Sequence, residues 1–322
     1  MIEQIRGRVD IHAPAVAVFT RACLRGLDIG GISMNGIHAA GISIDMREVT
    51  DDEVAFYEKN GWVILRNLVA PKLIEMALAS AKEAVGKRLG GSQPQTGWGG
   101  HDGKEYGIKD MPHWRDWHWI ARDERIEPLR SLMLSKETGR NAQRLIGRDV
   151  PVRSHLDMLA VKMPANKPGS GELGWHQDWP YYPFDRVGAL NFWFPLVEAT
   201  PEMGTMRFHS GSHKAGPLGF KNPADPATGV SFSHPDYYPA FREKYPVSEP
   251  HTLRPGDVSI HNTMTLHCGP PNRTDKERWA FICSYFPADT CYTGAPNHIF
   301  RPELGLEIGE PITNDFFPQV YP

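Results

Sequence analysis

Cysteine is scarce in this chain: four in 322 residues, at Cys23, Cys268, Cys283 and Cys291, with no CxxC pair among them. That spacing excludes a zinc knuckle, a thioredoxin-type redox pair and a disulfide scaffold, and it fits a reducing, cytoplasmic setting. No apolar run approaches the roughly 18 residues that a membrane-spanning helix needs, so no membrane association is expected. The opening residues, Met1-Ile2-Glu3-Gln4-Ile5-Arg6, lack the ordered regions of a signal peptide. Charge of one sign is missing too: 35 Lys and Arg stand against 38 Asp and Glu. A nucleic-acid binder normally carries a basic excess, so nucleic acid is not an expected partner. No internal repeat is visible, and an apolar share of 40% excludes a disordered or collagen-like chain.

Turn-forming residues are abundant instead. The 31 glycines and 28 prolines make up about 18% of the chain, against roughly 12% on average. They fall between short apolar runs, as in a β-rich domain with many turns. Residues 1–45 show no sustained period and read as an extension, leaving 46–322 as one domain. Thr50-Asp51-Asp52-Glu53 has capping-box spacing, so a helix is expected to start there and to end at Asn60-Gly61. Residues 62–65 read as a strand, and Pro71 opens a helix that continues through 73–85. The pattern dissolves over 90–119, a Gly-, His- and Trp-rich segment expected to be irregular and to act as a lid. Residues 122–146 are again helical in character. Strands are expected at 152–163, 189–196, 205–209, 257–261 and 279–286. Helices first and strands after predict an α+β unit, with helices flanking an antiparallel sandwich or barrel.

The sharpest local feature is Gly174-Trp175-His176-Gln177-Asp178-Trp179. On a strand, residues two apart share a face, so the His176 imidazole and the Asp178 carboxylate can grip one ion. A His-x-Asp triplet alone says little, and His155-Leu156-Asp157 is a second one. His155 is expected on a strand surface. A third ligand is available at His267, just before a Gly-Pro turn. Two His and one carboxylate form the facial triad of non-haem Fe(II) oxygenases, which leaves positions open for cosubstrate and dioxygen. Arg278 follows eleven residues later, and its guanidinium can hold one end of a dicarboxylate in a bidentate pair.

These residues together resemble the phytanoyl-CoA dioxygenase family of Fe(II)/2-oxoglutarate-dependent oxygenases. The resemblance runs over roughly residues 50–321. It rests on residues 56–66 (FYEKNGWVILR), Trp175-His176-Gln177-Asp178, Tyr182-Pro183-Phe184, Gly204, Ser210-Gly211-Ser212-His213-Lys214, Pro255-Gly256-Asp257, His267 and Arg278. It implies a double-stranded β-helix, the jelly-roll or cupin-like barrel, with N-terminal helices on its flank. It also implies Fe(II) on His176, Asp178 and His267, and 2-oxoglutarate on Arg278. Trp193, Gln177, Met158 and Lys109 match cosubstrate-site positions. Gly269 departs from the family's pattern, which has a serine there. The implied reaction consumes dioxygen and 2-oxoglutarate and releases succinate and CO2. It oxidises an unactivated C–H of a small organic molecule, and the aromatic residues of the chain suit a medium-sized, partly apolar one such as a natural-product intermediate.

Trp114, Trp117, Trp179, Tyr181 and Tyr182 form an aromatic set expected to line the substrate pocket, although each also suits core packing. His209, His213 and His261 read as structural, and Cys268 as an inert buried thiol. The competing function is a metal-binding jelly roll without oxidative turnover, either a zinc hydrolase or a binding module. Arg278 discriminates, because a hydrolase has no need of a dicarboxylate clamp. A halogenase is disfavoured, since Asp178 fills the place a halide needs.

Overall fold

The computed structural model describes residues 42–90, 115–118, 120–122, 125–167, 170–221, 230–232, 239–295 and 304–322. Nearly all of the expected extension, residues 1–45, and most of the irregular segment, 90–119, lie outside these residues.

Four helices come early: α1 (Asp51–Asn60), α2 (Pro71–Gly90), α3 (Leu129–Leu134) and α4 (Lys136–Ile146). Among them run β1 (Trp62–Leu65) and β2 (Arg115–His118). The capping box at α1 forms as its spacing predicts: Thr50 Oγ1 accepts from the Glu53 amide at 3.2 Å, and Glu53 Oε2 accepts from the Thr50 amide at 2.8 Å. Gly61 then ends the helix in the left-handed region, at φ 77°. The helical stretch expected over 122–146 is two helices, not one. Ser135 adopts an extended backbone and caps α4 by accepting from the Thr138 amide. The expected irregularity of 90–119 also yields to β2, which pairs with the next strand.

The remaining strands are β3 (Val152–Lys162), β4 (Leu173–His176), β5 (Leu190–Pro195), β6 (Arg207–Phe208), β7 (Gly219–Lys221), β8 (Val230–Phe232), β9 (Val258–Asn262), β10 (His267–Gly269), β11 (Arg278–Pro287) and β12 (Gln319–Tyr321). A short helix, α5 (Pro239–Lys244), separates β8 from β9. The large sheet has the order β1-β9-β5-β11-β3-β12, with β2 also on β3. The small sheet is β4-β10-β6, and β7 pairs with β8. Both larger sheets are antiparallel throughout. Their curled, facing arrangement is the expected double-stranded β-helix, with α1–α4 on its flank.

Register sorts the large sheet into two faces. Phe192, Phe194, Phe281, Tyr285, Leu159 and Ile260 face outward and join the helices in the main apolar core. Met158, Lys162, Trp193, Asn191, His261 and Arg278 occupy the alternate positions and face the small sheet. Trp62 bridges the two sheets by stacking on Phe208 with ring centroids 5.0 Å apart.

A β-bulge decides the fate of the second His-x-Asp triplet. Between Asp157↔Cys283 and Ser154↔Tyr285, β3 spends one residue more than β11. The alternation slips, so the two side chains part. Asp157 accepts from the backbone amides of Ala121 and Arg122. His155 is not on the strand surface but fully buried, packed against Tyr182, Phe184 and Phe317.

Candidate active site

His176 ends β4, His267 opens β10, and the two are register partners in the small sheet. Asp178 follows β4 at the start of a short 3-10 turn, Trp179–Tyr181. The backbone amides of Asp178 and Trp179 both donate to the Thr263 carbonyl, at 2.9 and 3.0 Å. That carbonyl lies between β9 and β10, so one peptide ties the acid to the segment that leads into His267. Ligand atoms of His176, Asp178 and His267 all lie within 4.8 Å of one another.

The ring orientations are fixed from behind. His176 Nδ1 bonds the Gly174 carbonyl at 2.7 Å and His267 Nδ1 bonds the Thr265 carbonyl at 2.9 Å. Those carbonyls hold the proton on Nδ1 and leave each Nε2 with its lone pair. The Nε2 atoms stand 3.6 and 3.7 Å from the Asp178 carboxylate, too far for hydrogen bonds. Burial lowers the pKa of both imidazoles, more than offsetting the pull of Asp178. Burial also opposes ionisation of Asp178, but His267 and the His261 hydrogen bond outweigh it and hold the carboxyl well below the usual range. Two neutral imidazoles and one carboxylate therefore converge with a net negative charge, which is the donor set a divalent cation requires.

A second layer holds Asp178. Asn191 Nδ2 donates to Asp178 Oδ2 at 2.6 Å, and His261 Nε2 stands 3.1 Å from the same oxygen. Asn191 Oδ1 in turn accepts from Ser284 Oγ at 2.5 Å and from the Tyr182 hydroxyl at 3.1 Å. Sequence reasoning missed Asn191 and took His261 as purely structural. The available signal was a polar residue in the otherwise apolar, fully buried strand Leu190–Pro195.

Arg278 is buried at the start of β11. Its Nη1 donates to the Gly204 carbonyl, and the guanidinium lies 5.3 Å from the Trp193 ring centroid. Burial alone pushes its pKa down to about 10, with no acid beside it among the described residues to compensate. Met158 and Trp193 share its face of the sheet, each opposite Ile282. Gln177 is buried with its amide spent on backbone: Nε2 donates to the carbonyls of Gly216 and Met264, and Oε1 accepts from the Leu218 amide. Tyr182 sits behind Asp178 in an apolar cluster with Phe184 and Phe286, and Trp179 and Tyr181 pack at its edge. Trp117 is placed only by its backbone, opposite Leu159. Trp114 and Lys109 lie outside the described residues. Burial pushes the Cys268 thiol up to about 12, so it stays protonated.

Comparison with known proteins gives this geometry a lineage. The family model for phytanoyl-CoA dioxygenase (PhyH) matches residues 57–280. The chain belongs to the PhyH family. The match takes in the triad and Arg278. Among curated relatives, the chain is 27% identical over 166 residues to a probable alpha-ketoglutarate-dependent hypophosphite dioxygenase of Stutzerimonas stutzeri, covering 51% of this chain. It spans only 54% of that relative's length. It is 29% identical over 143 residues to the dioxygenase easH of Epichloe festucae var. lolii, covering 42% of this chain and 66% of that one. Among solved structures, the non-heme alpha ketoglutarate dependent carbocyclase SnoK from nogalamycin biosynthesis superposes with a TM-score of 0.65 at 23% identity, over 84% of this chain and 96% of that one. EctD from S. alaskensis superposes at 0.59 with 16% identity, over 85% and 86%. At such identities these likenesses establish a shared fold.

Proposed function

We propose that the protein is a non-haem Fe(II)- and 2-oxoglutarate-dependent oxygenase. It hydroxylates or desaturates an unactivated C–H of a small organic substrate and releases succinate and CO2. The observation that carries this reading is the convergence of two neutral Nε2 atoms and an ionised carboxylate on one point. His176, Asp178 and His267 hold the iron, and residues 46–322 form the catalytic unit. When bound, the iron supplies the activation of dioxygen coupled to decarboxylation of the cosubstrate. The protein's own residues bind and orient. Asn191 and His261 fix the Asp178 carboxylate. Arg278 seats the remote carboxylate of 2-oxoglutarate, with Trp193 and Met158 on the same face. Gln177 holds residues 216–218 and 264 against the triad. Trp179 and Tyr181 follow Asp178 directly and border the substrate.

Named relatives support a small-molecule substrate. They are described as acting in nogalamycin biosynthesis or on hypophosphite. A natural-product intermediate suits the aromatic residues near the site. A metal-only role leaves the buried Arg278 without an anion to meet, and nothing else favours it.

The test is iron content and substrate-dependent succinate. Wild-type protein should hold one Fe(II) per chain. His176→Ala and His267→Ala each remove a strong ligand and should abolish both iron retention and succinate formation. Full turnover in either variant rejects the assignment.

A further inference from the structure

Two cations lie side by side on the inner face of the large sheet. Lys162, the last residue of β3, is the register partner of Arg278, the first residue of β11. They are 1% and 4% exposed. Register partners in an antiparallel pair keep their Cβ atoms within about 5.5 Å. Neither residue has an ion-pair partner among the described residues. The acid whose charge reaches Lys162 is Glu172, which is exposed to solvent. Burying charge is costly, and buried Lys and Arg are retained almost only where something pairs with them. Desolvation and the neighbouring Arg278 push the Lys162 ammonium down to about 6, a cost that a bound anion offsets.

Both heads are aimed by adjoining backbone. Lys162 Nζ donates to the carbonyls of Gly269, at 2.7 Å, and Pro270. Arg278 donates to the carbonyl of Gly204. Gly204 itself abuts Pro270: a Cβ there would stand 2.0 Å from the Pro270 oxygen. A Cβ on Gly269 would lie 3.5 Å from Lys162 Nζ, at ordinary contact distance, so the Lys162 head packs directly against this turn. An anion beside Lys162 favours its protonated form, and an ammonium has three donors, so one is left for that anion after the two carbonyls are met. Arg278 Nε has no partner among the described residues. Spare N–H groups on two adjacent buried cations match a carboxylate, which accepts on both oxygens.

We propose that Lys162 is a second cationic anchor for the remote carboxylate of 2-oxoglutarate, which it shares with Arg278. This rests on the oxygenase reading above. A two-cation seat selects dicarboxylic 2-oxo acids over monocarboxylic ones.

The test is binding rather than turnover. Full-length protein loaded with redox-inert Mn(II) is titrated by calorimetry with 2-oxoglutarate and with 2-oxobutyrate, which lacks the remote carboxylate. Lys162→Met keeps the apolar stem and removes the charge. Its Kd for 2-oxoglutarate should rise about 10- to 100-fold, the range for losing a hydrogen bond to a charged group. Its Kd for 2-oxobutyrate should stay within about twofold of wild type, since that ligand offers Lys162 nothing to hold. Unchanged affinity for both acids overturns the proposal. Equal weakening of both also overturns it, because it marks Lys162 as a prop for the β10 turn. Where Lys162→Met does not fold, Lys162→Gln, which keeps a donor for the Gly269 carbonyl, carries the same comparison. Wild-type protein that binds neither acid overturns the oxygenase reading, and the Lys162 assignment falls with it.

Discussion

His155, His176 and His267 are all held neutral by burial, which takes His155 down to about 3 and His267 well below its ordinary value. In the unfolded chain each protonates near the ordinary value of roughly 6.5. Below that pH the unfolded state binds more protons than the folded one, so stability falls as pH falls. Asp178 acts in the same direction at lower pH, because its carboxyl titrates lower in the folded state than in the unfolded chain. The metal-free protein should therefore unfold at lower urea at pH 5.5 than at pH 7.5. His155→Leu removes one strongly shifted imidazole, in the aromatic cluster, without touching the triad. Its urea midpoint should drop less between those pH values than that of wild type. An equal drop in both proteins would assign the effect elsewhere.

Elements of the fold meet at backbone approaches as much as at side chains, and Gly204 is the sharpest. It sits at φ 75°, and a Cβ there would run into the carbonyl oxygens of Pro270 and Pro271. Gly204→Ala should cost about 1–3 kcal/mol in chemical denaturation, the usual scale of local backbone strain. It should also weaken 2-oxoglutarate binding, since the Gly204 carbonyl steadies Arg278. An unchanged unfolding midpoint would show that the turn at Pro270 yields freely. At this scale the sequence was legible wherever the signal was local. The Thr50 capping box spans four residues, β1 is a short apolar run closed by polar ones, and His176 with Asp178 needs only the two-residue period of a strand. What depended on partners in space was not legible. The bulge that separates His155 from Asp157 is visible only against β11. Asn191 reads as one polar residue in an apolar run until Asp178 is beside it. Lys162 is one more residue of an expected strand until β11 sets Arg278 beside it and the carbonyls of Gly269 and Pro270 take its ammonium.

The whole molecule divides its labour between the two faces of one sheet. The outer face, packed on α1–α4, is apolar, and the inner face carries the polar residues of the site. Phe281, fully buried on the outer face, should cost about 3–5 kcal/mol when cut to Ala, as large buried aromatics do. The same variant, assayed well below its melting temperature, should bind 2-oxoglutarate like wild type. Lost binding in a folded Phe281→Ala protein would show that the faces are coupled. The donors that meet on the inner side come from segments almost ninety residues apart in sequence, yet the Thr263 carbonyl holds the Asp178 turn against the segment that leads into His267. With the acid fastened to the Thr263 carbonyl and the imidazole to the Thr265 carbonyl two residues on, an arriving ion finds its donors already spaced. The ordering entropy of the pocket is thus charged to folding of the chain, and little of it is left to be met when the ion is captured.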